Sequence, residues 1–269
     1  MSASPPALEL VGVAKSFGAI PVVRGVDLQI PAGERHAVIG PNGAGKSTLF
    51  NLVSGLFPLS GGDIRLRGRS IAGLPPHRIN RSGLARSFQI TNIFHRLSVF
   101  ENLRIGVMAR HGLRFGLFRP VARMRQVNEE ARAILALVRL EARAEDLAGD
   151  LTYSEQRALE IGMTLTTGAD VILLDEPTAG MSREETDRAV ELIREVTAGK
   201  TLLMVEHDMS VVFSLCDRVS VLVYGEILAT DTPERISANR AVQEAYLGEE
   251  PDESSGRDFG QDSGGEAAP

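Results

Sequence analysis

Apolar and polar positions along the chain switch repeatedly between two rhythms. Ala37-Val38-Ile39 after Glu34-Arg35-His36, Val171-Ile172-Leu173-Leu174 and Thr201-Leu202-Leu203-Met204-Val205 are short, nearly unbroken apolar runs, as strands covered on both faces require. Between them apolar residues recur at helical spacing. Leu49, Leu52 and Val53 share a face after Ser47, and Ala189, Leu192, Ile193 and Val196 share one after the second run. Such alternation predicts an α/β core with a mostly parallel sheet.

Leu8 to Phe17, Val26 to Ile30 and the alternating Asp63 to Arg67, closed by Gly68, read as strands of a small antiparallel β edge. From Val99 to Thr167 the rhythm is helical. Val99-Phe100-Glu101-Asn102-Leu103 opens a helix, Met124 to Leu140 carries Val127, Ala131, Ile134, Leu135 and Val138, and Ser154 to Leu165 continues the pattern. The organisation expected is a helical lobe over 99–167 inserted into a core made of 1–98 and 168–248. Arg218 to Tyr224 and Ile227 to Thr230 predict a final strand pair, and Thr232-Pro233-Glu234 starts a last helix that ends near Gly248. Glu249 to Pro269 is rich in Asp, Glu, Ser and Gly, the composition of a disordered acidic tail at 249–269. No internal repeat is present.

Composition narrows the class. A chain of 269 residues, 43% hydrophobic and 24% charged, can bury one large core or a core plus a small lobe. Its net charge of -6 builds no large positive field, so no nucleic-acid partner is expected. The single cysteine, Cys216, excludes an internal disulfide and a multi-cysteine metal site, and its neighbours Val211, Val212, Phe213 and Leu215 predict a packed helix residue. No apolar run approaches the roughly 20 residues needed to span a bilayer, and the first residues lack signal-peptide blocks. A cytosolic chain is expected, with any membrane role reached through partners.

Candidate chemistry begins at Gly40-Pro41-Asn42-Gly43-Ala44-Gly45-Lys46-Ser47-Thr48, between a strand and a helix. Glycines at that spacing let backbone amides face phosphate oxygens at a helix N-terminus. Lys46 adds charge for the β and γ phosphates, Ser47 a hydroxyl for Mg²⁺, and Thr48 a secondary phosphate contact. The motif implies a nucleoside triphosphate with Mg²⁺. Asp175, at the end of its strand, can hold Mg²⁺ directly or through water. Glu176 follows and can deprotonate an attacking water. Gln89 can complete the metal or water shell, and His207, at the end of Thr201 to Glu206, can contact the γ-phosphate. Thr152 and Glu155 form a T-x-x-E capping box at a helix start.

In this order the motifs resemble the nucleotide-binding subunits of ATP-binding cassette transporters, over roughly Leu8 to Leu247. The residues that carry the resemblance are Gly40 to Thr48, Gln89, Leu151-Thr152-Tyr153-Ser154-Glu155-Gln156-Arg157, Leu174-Asp175-Glu176-Pro177, Ala179-Gly180-Met181-Ser182 and His207. Leu84 to Gln89, Leu97 to Asn102, Thr178 to Met181 and Glu244 to Gly248 look most like ATPase subunits of branched-chain amino-acid uptake systems, a group whose near members handle urea or short amides.

The resemblance implies Mg-ATP hydrolysis in a head-to-tail dimer, each ATP lying between one subunit's phosphate loop and the other's signature segment, with Phe17 stacking on adenine. It also implies membrane-spanning permease subunits, a second ATPase subunit of the same or a paralogous chain, and an indirect solute-binding protein. The chain would then sit on the cytoplasmic face of the inner membrane. The signature departs from the family's usual Leu-Ser-Gly-Gly-Gln. Thr152 keeps a hydroxyl for the γ-phosphate. Ser154 adds a Cβ, and if its position needs a left-handed backbone the strain is roughly 1–2 kcal/mol. A weakly hydrolysing regulatory module and a soluble ATPase without a permease are the competing roles. Arg110, His111, Arg114, Arg119, Arg123 and Arg125 form a basic interruption of the helical segment, read first as a solvated loop and second as a face toward lipid head groups or a membrane partner. His77, Arg78, Arg81 and Arg86 are candidates for a docking surface.

Overall fold

A computed structural model describes residues 5–87, 93–113 and 124–247. The chain runs β1 (Leu8–Phe17), β2 (Ile20–Ile30), β3 (Arg35–Ile39), α1 (Lys46–Val53), β4 (Gly61–Leu66), β5 (Arg69–Ser70), α2 (Pro76–Arg81) and β6 (Leu84–Arg86). Then come α3 (Val99–Arg110), α4 (Arg125–Leu137) and α5 (Tyr153–Thr166). The remainder is β7 (Val171–Asp175), α6 (Arg183–Val196), β8 (Thr201–Val205), α7 (Met209–Leu215), β9 (Arg218–Val223), β10 (Glu226–Asp231), α8 (Pro233–Ser237) and α9 (Arg240–Leu247).

The central sheet has the order β10-β9-β3-β8-β7-β6, parallel in every pairing except β9 with β10. A second sheet, β2-β1-β4-β5, is antiparallel. β7 and β8 are buried at every position, and successive side chains go to opposite faces. Val171 and Leu173, with Leu203 and Val205, share a core with Leu49 and Phe50 of α1 and with Leu10 and Ile64 of the antiparallel sheet. Ile172, Leu174, Leu202 and Met204 join Ile193 of α6 and Val211, Val212 and Leu215 of α7. A third core belongs to the helical segment: Val99, Leu103 and Val107 pack on Val127, Ala131, Leu135 and Leu159. Among the described residues no helix is long and apolar enough to cross a membrane.

Several local expectations change. The last helix is two. Asn239 accepts from the amides of Ala241 and Val242 through its side chain, so it caps α9 and ends the run begun at Pro233. Cys216 is buried as expected but is the first residue beyond α7 rather than part of it, and burial pushes its thiol up to about 12. β2 begins at Ile20, because pairing with β1 down to Phe17–Ile20 extends it past the apolar stretch at Val26. The elements α2 and β6 carry no clear periodicity; β6 has three residues and exists because β7 pairs with it. The acidic tail lies outside the described residues.

Candidate functional site

β3, β8 and β7 are neighbours in the sheet, and each delivers its next residues to the same carboxyl-terminal edge. That edge is where open parallel sheets collect ligands. A cleft of about 300 Å³ lies there, lined by Val22, residues 42–48, Glu176 and His207. Three segments distant in sequence thus share one wall.

The loop after β3 is shaped by its glycines. Gly45 is the N-cap of α1 at φ 104 and offers no side chain to cap it. The first amides of α1 therefore face outward without a capping side chain, the arrangement that receives an anion. Gly40 leaves no room for any other residue: a Cβ there would lie 2.0 Å from the Leu222 carbonyl oxygen. The Lys46 ammonium is buried and donates to the carbonyls of Gly40 at 2.5 Å and Pro41 at 2.8 Å. Ala44 accepts from the Gly225 amide at 3.0 Å, which ties the loop to the β9–β10 turn.

Asp175 ends β7 and is buried. Its Oδ2 lies 2.7 Å from Arg86 Nη2, while Arg86 Nη1 donates to Asn51 Oδ1 at 2.7 Å and Ser54 Oγ at 2.9 Å. Asp175 Oδ1 is buried with no hydrogen-bond partner among the described residues. An oxygen left open in this way suits a cation or its water. Arg86 is consequently not a docking residue: its side chain is 7% exposed, and its guanidinium approaches the Phe50 ring at 5.8 Å. An arginine after Leu84-Ala85 reads as the outer edge of a strand, and only pairing of β6 with β7 turns it inward. His77, Arg78 and Arg81 remain exposed on α2.

Glu176 breaks from the strand with φ 47, a left-handed conformation that costs a non-glycine residue about 1–2 kcal/mol. Its amide still continues the ladder to the Val205 carbonyl at 2.9 Å. Its Oε1 meets His207 Nε2 at 2.9 Å on the cleft wall. A carboxylate and an imidazole held together beside a phosphate-binding loop can orient and deprotonate a water.

The chain matches the family model described as ABC transporter over residues 23–179, more than half its length, and the model described as branched-chain amino acid ATP-binding cassette transporter over 226–252. It belongs to the ATP-binding cassette transporter family. It is 40% identical over 253 residues to the high-affinity branched-chain amino acid transport ATP-binding protein BraF of Pseudomonas aeruginosa, covering 91% of this chain and 99% of that protein. The LivG protein of Escherichia coli K12, named in the same words, is 40% identical over 256 residues, 91% of this chain and 99% of its own. Among solved structures, the ADP conformation of MJ1267, an ATP-binding cassette of an ABC transporter, superposes with a TM-score of 0.80 at 25% identity, covering 92% of this chain and all of that one. The chain is accordingly an ATP-binding cassette ATPase.

Thr152, Ser154 and Glu155 lie elsewhere in the chain. Thr152 caps α5, and the box closes both ways: Thr152 Oγ1 accepts from the Glu155 amide, and Glu155 Oε2 accepts from the Thr152 amide at 2.8 Å. Burial draws the Glu155 carboxyl upward, but the Thr152 amide and the Arg143 guanidinium outweigh it and hold the group below the usual range. Ser154 is the second residue of α5 and is absent from the positive-φ positions, so the conditional strain does not arise. Ser154→Gly is therefore expected to destabilise the fold, by about 0.5 kcal/mol through helix propensity; a rise in melting temperature would contradict this backbone.

Ser154 and Glu155 line a separate cavity of about 240 Å³ with Met181 and Glu185, not the cleft at the phosphate loop. The Ser182 amide and hydroxyl and the Ser154 hydroxyl hold the Glu185 carboxyl below its ordinary range. Tyr153 OH donates to the Ala179 carbonyl at 3.0 Å, so this end of α5 is fastened to the turn that follows Glu176. Phe17 ends β1 and does not line the cleft; it is 43% exposed and packs edge-on against Phe57, with ring centroids 5.5 Å apart. Gln89, Arg114, Arg119 and Arg123 lie outside the described residues. Sequence reasoning missed one buried group, Glu206, which sits between the end of β8 and His207. Its only sequence signal is a carboxylate directly after the apolar run Leu202 to Val205.

Proposed function

We propose that this cassette is the ATP-hydrolysing subunit of an importer for branched-chain amino acids or closely related small solutes. The observation that carries the solute class is the near full-length similarity to BraF and LivG, whose names specify that transport. The hydrolytic half is supported by the placement of Glu176 and His207 on the wall of the cleft formed by residues 42–48.

In this reading Gly40, Asn42, Gly43, Ala44, Gly45 and Thr48 cradle the phosphates with backbone amides and a hydroxyl, Pro41, which has no N–H, shapes the loop, and Phe17 stacks on adenine. The Lys46 ammonium exchanges two loop carbonyls for phosphate oxygens. Glu176 takes the proton of the attacking water as the bond to the γ-phosphorus forms, and the β–γ bridging bond breaks toward ADP. His207 and Lys46 stabilise charge that grows on the γ-phosphoryl oxygens. Ser47, Gln89 and Asp175 would hold Mg²⁺, which would screen the phosphate charge; the open Asp175 Oδ1 is the feature that fits it.

Because Thr152, Ser154 and Glu155 do not line that cleft, they are assigned to the ATP of a second cassette in a head-to-tail dimer. ATP then makes a contact across the interface only in the closed state, and hydrolysis releases it. Permease subunits, served by a solute-binding protein, read this closure, which places the chain on the cytoplasmic face of the inner membrane. The helical lobe is set at 99–167 and the core at 1–98 and 168–248. Deleting the gene and measuring uptake of labelled leucine, isoleucine and valine tests the assignment. Uptake is expected to fall to background and to return with the wild-type gene. Undiminished uptake of all three would remove the solute class.

A further inference from the structure

β7 and β8 leave the sheet side by side, with Asp175 in register with Val205, and two links join the turns that follow. One is the contact of His207 with Glu176 on the cleft wall. The other is made by Glu206, which is 3% exposed and absent from the cleft lining. Its Oε1 accepts from the Thr178 amide at 3.0 Å and the Thr178 hydroxyl at 2.5 Å, and its Oε2 accepts from the His207 amide at 3.0 Å. Chain and contacts close a ring: Glu176 through Pro177 to Thr178, across to Glu206, on to His207, and back to Glu176.

A buried carboxylate persists only where donors meet it. Here three strong donors from two turns converge on one side chain, and no neutral side chain of that length accepts at both oxygens. The Glu176 amide on the Val205 carbonyl and the Tyr153 hydroxyl on the Ala179 carbonyl also hold the turn in which Glu176 takes its left-handed φ of 47, and the ring is what ties that turn to the one carrying His207.

We propose that Glu206 is a positioning residue for ATP hydrolysis: its buried carboxylate fixes Thr178 and His207 so that the Glu176 carboxylate and the His207 imidazole meet at hydrogen-bond distance. This rests on the reading of Glu176 as base and His207 as its partner.

Steady-state ATPase measurements on the full chain, with nucleotide affinity and melting temperature, test it. Glu206→Gln turns one acceptor into a donor that faces either Thr178 or the His207 amide. It is expected to lower kcat roughly 10–100-fold through misplacement of the reacting groups, with KM for ATP changed by no more than about twofold. Thr178→Val removes the hydroxyl donor of the same link while the backbone amide of position 178 and the carboxylate stay in place, and carries the test if Glu206→Gln does not fold. Thr178→Ser keeps the hydroxyl and should turn over several-fold faster than Thr178→Val. The double variant Glu206→Gln/Thr178→Val should fall little further than the slower single one, because both act on one link. Wild-type kcat in the single variants, KM rising in step with the loss, or losses that multiply in the double variant each overturn the proposal. Glu176→Gln run in parallel separates two failures. If it too turns over normally, the reading of Glu176 is wrong; if it is inactive while the Glu206 and Thr178 variants are normal, this inference alone falls.

Discussion

Replacing Glu176 by glutamine is expected to lower steady-state ATP turnover by about 10²–10⁴-fold, the range for loss of a general base, while ATP still binds. The substitution keeps the side chain's length and its hydrogen-bonding capacity toward His207 Nε2, which lies 2.9 Å from Oε1. It removes only the ability to take a proton. The phosphate loop and Lys46 are untouched, so nucleotide affinity should hold and the ATP-bound dimer should accumulate. Two readouts are needed: turnover by phosphate release, and dimer content by size exclusion with ATP. A variant that hydrolyses ATP at the wild-type rate would remove Glu176 from the chemistry.

Arg86→Ala has the second large effect, and it falls on stability. The Arg86 and Asp175 side chains are 7% and 1% exposed, and the guanidinium also reaches Asn51 and Ser54. Removing the cation leaves a carboxylate buried without its charge partner, at a cost of about 3–5 kcal/mol. For a chain of this size that lowers the melting temperature by roughly 10 °C. Adding Asp175→Asn to Arg86→Ala removes the stranded charge and should recover part of the loss, because the two groups are coupled. If the double variant were less stable than Arg86→Ala by the full cost of Asp175→Asn alone, the pair would not be acting as a pair. The contact also joins the end of β7 to α1 and to the strand that leads toward Gln89.

The two halves of the Arg86–Asp175 pair were unequally legible. Asp175 follows four apolar residues, and a carboxylate ending such a strand stands out because nothing else in the run is polar. Arg86 follows only two apolar residues, too few to distinguish a buried arginine from one at an exposed edge. Glu206 resembles Asp175 in sequence, a carboxylate after a buried strand, yet its partners are Thr178 and the amide next to it. Local sequence reports that such a group is buried; it does not report which donors the neighbouring strand brings.

Short stretches of the chain settle the local commitments on their own. Glycine spacing shapes the phosphate loop, unbroken apolar runs produce the buried parallel strands, and T-x-x-E at Thr152 to Glu155 caps a helix, because each of these is governed by residues within a few positions of one another. The tertiary structure decided what depends on strand order and on the faces that neighbouring segments present. It placed Glu176 and His207 beside residues 42–48 and turned Arg86 inward onto Asp175. It set Ser154 in helical backbone, free of the strain that a left-handed position would impose, and kept Ser154 and Glu155 off the cleft. These outcomes follow from pairing between β6, β7, β8 and β3, segments separated by tens of residues, whose register no single stretch of the chain encodes.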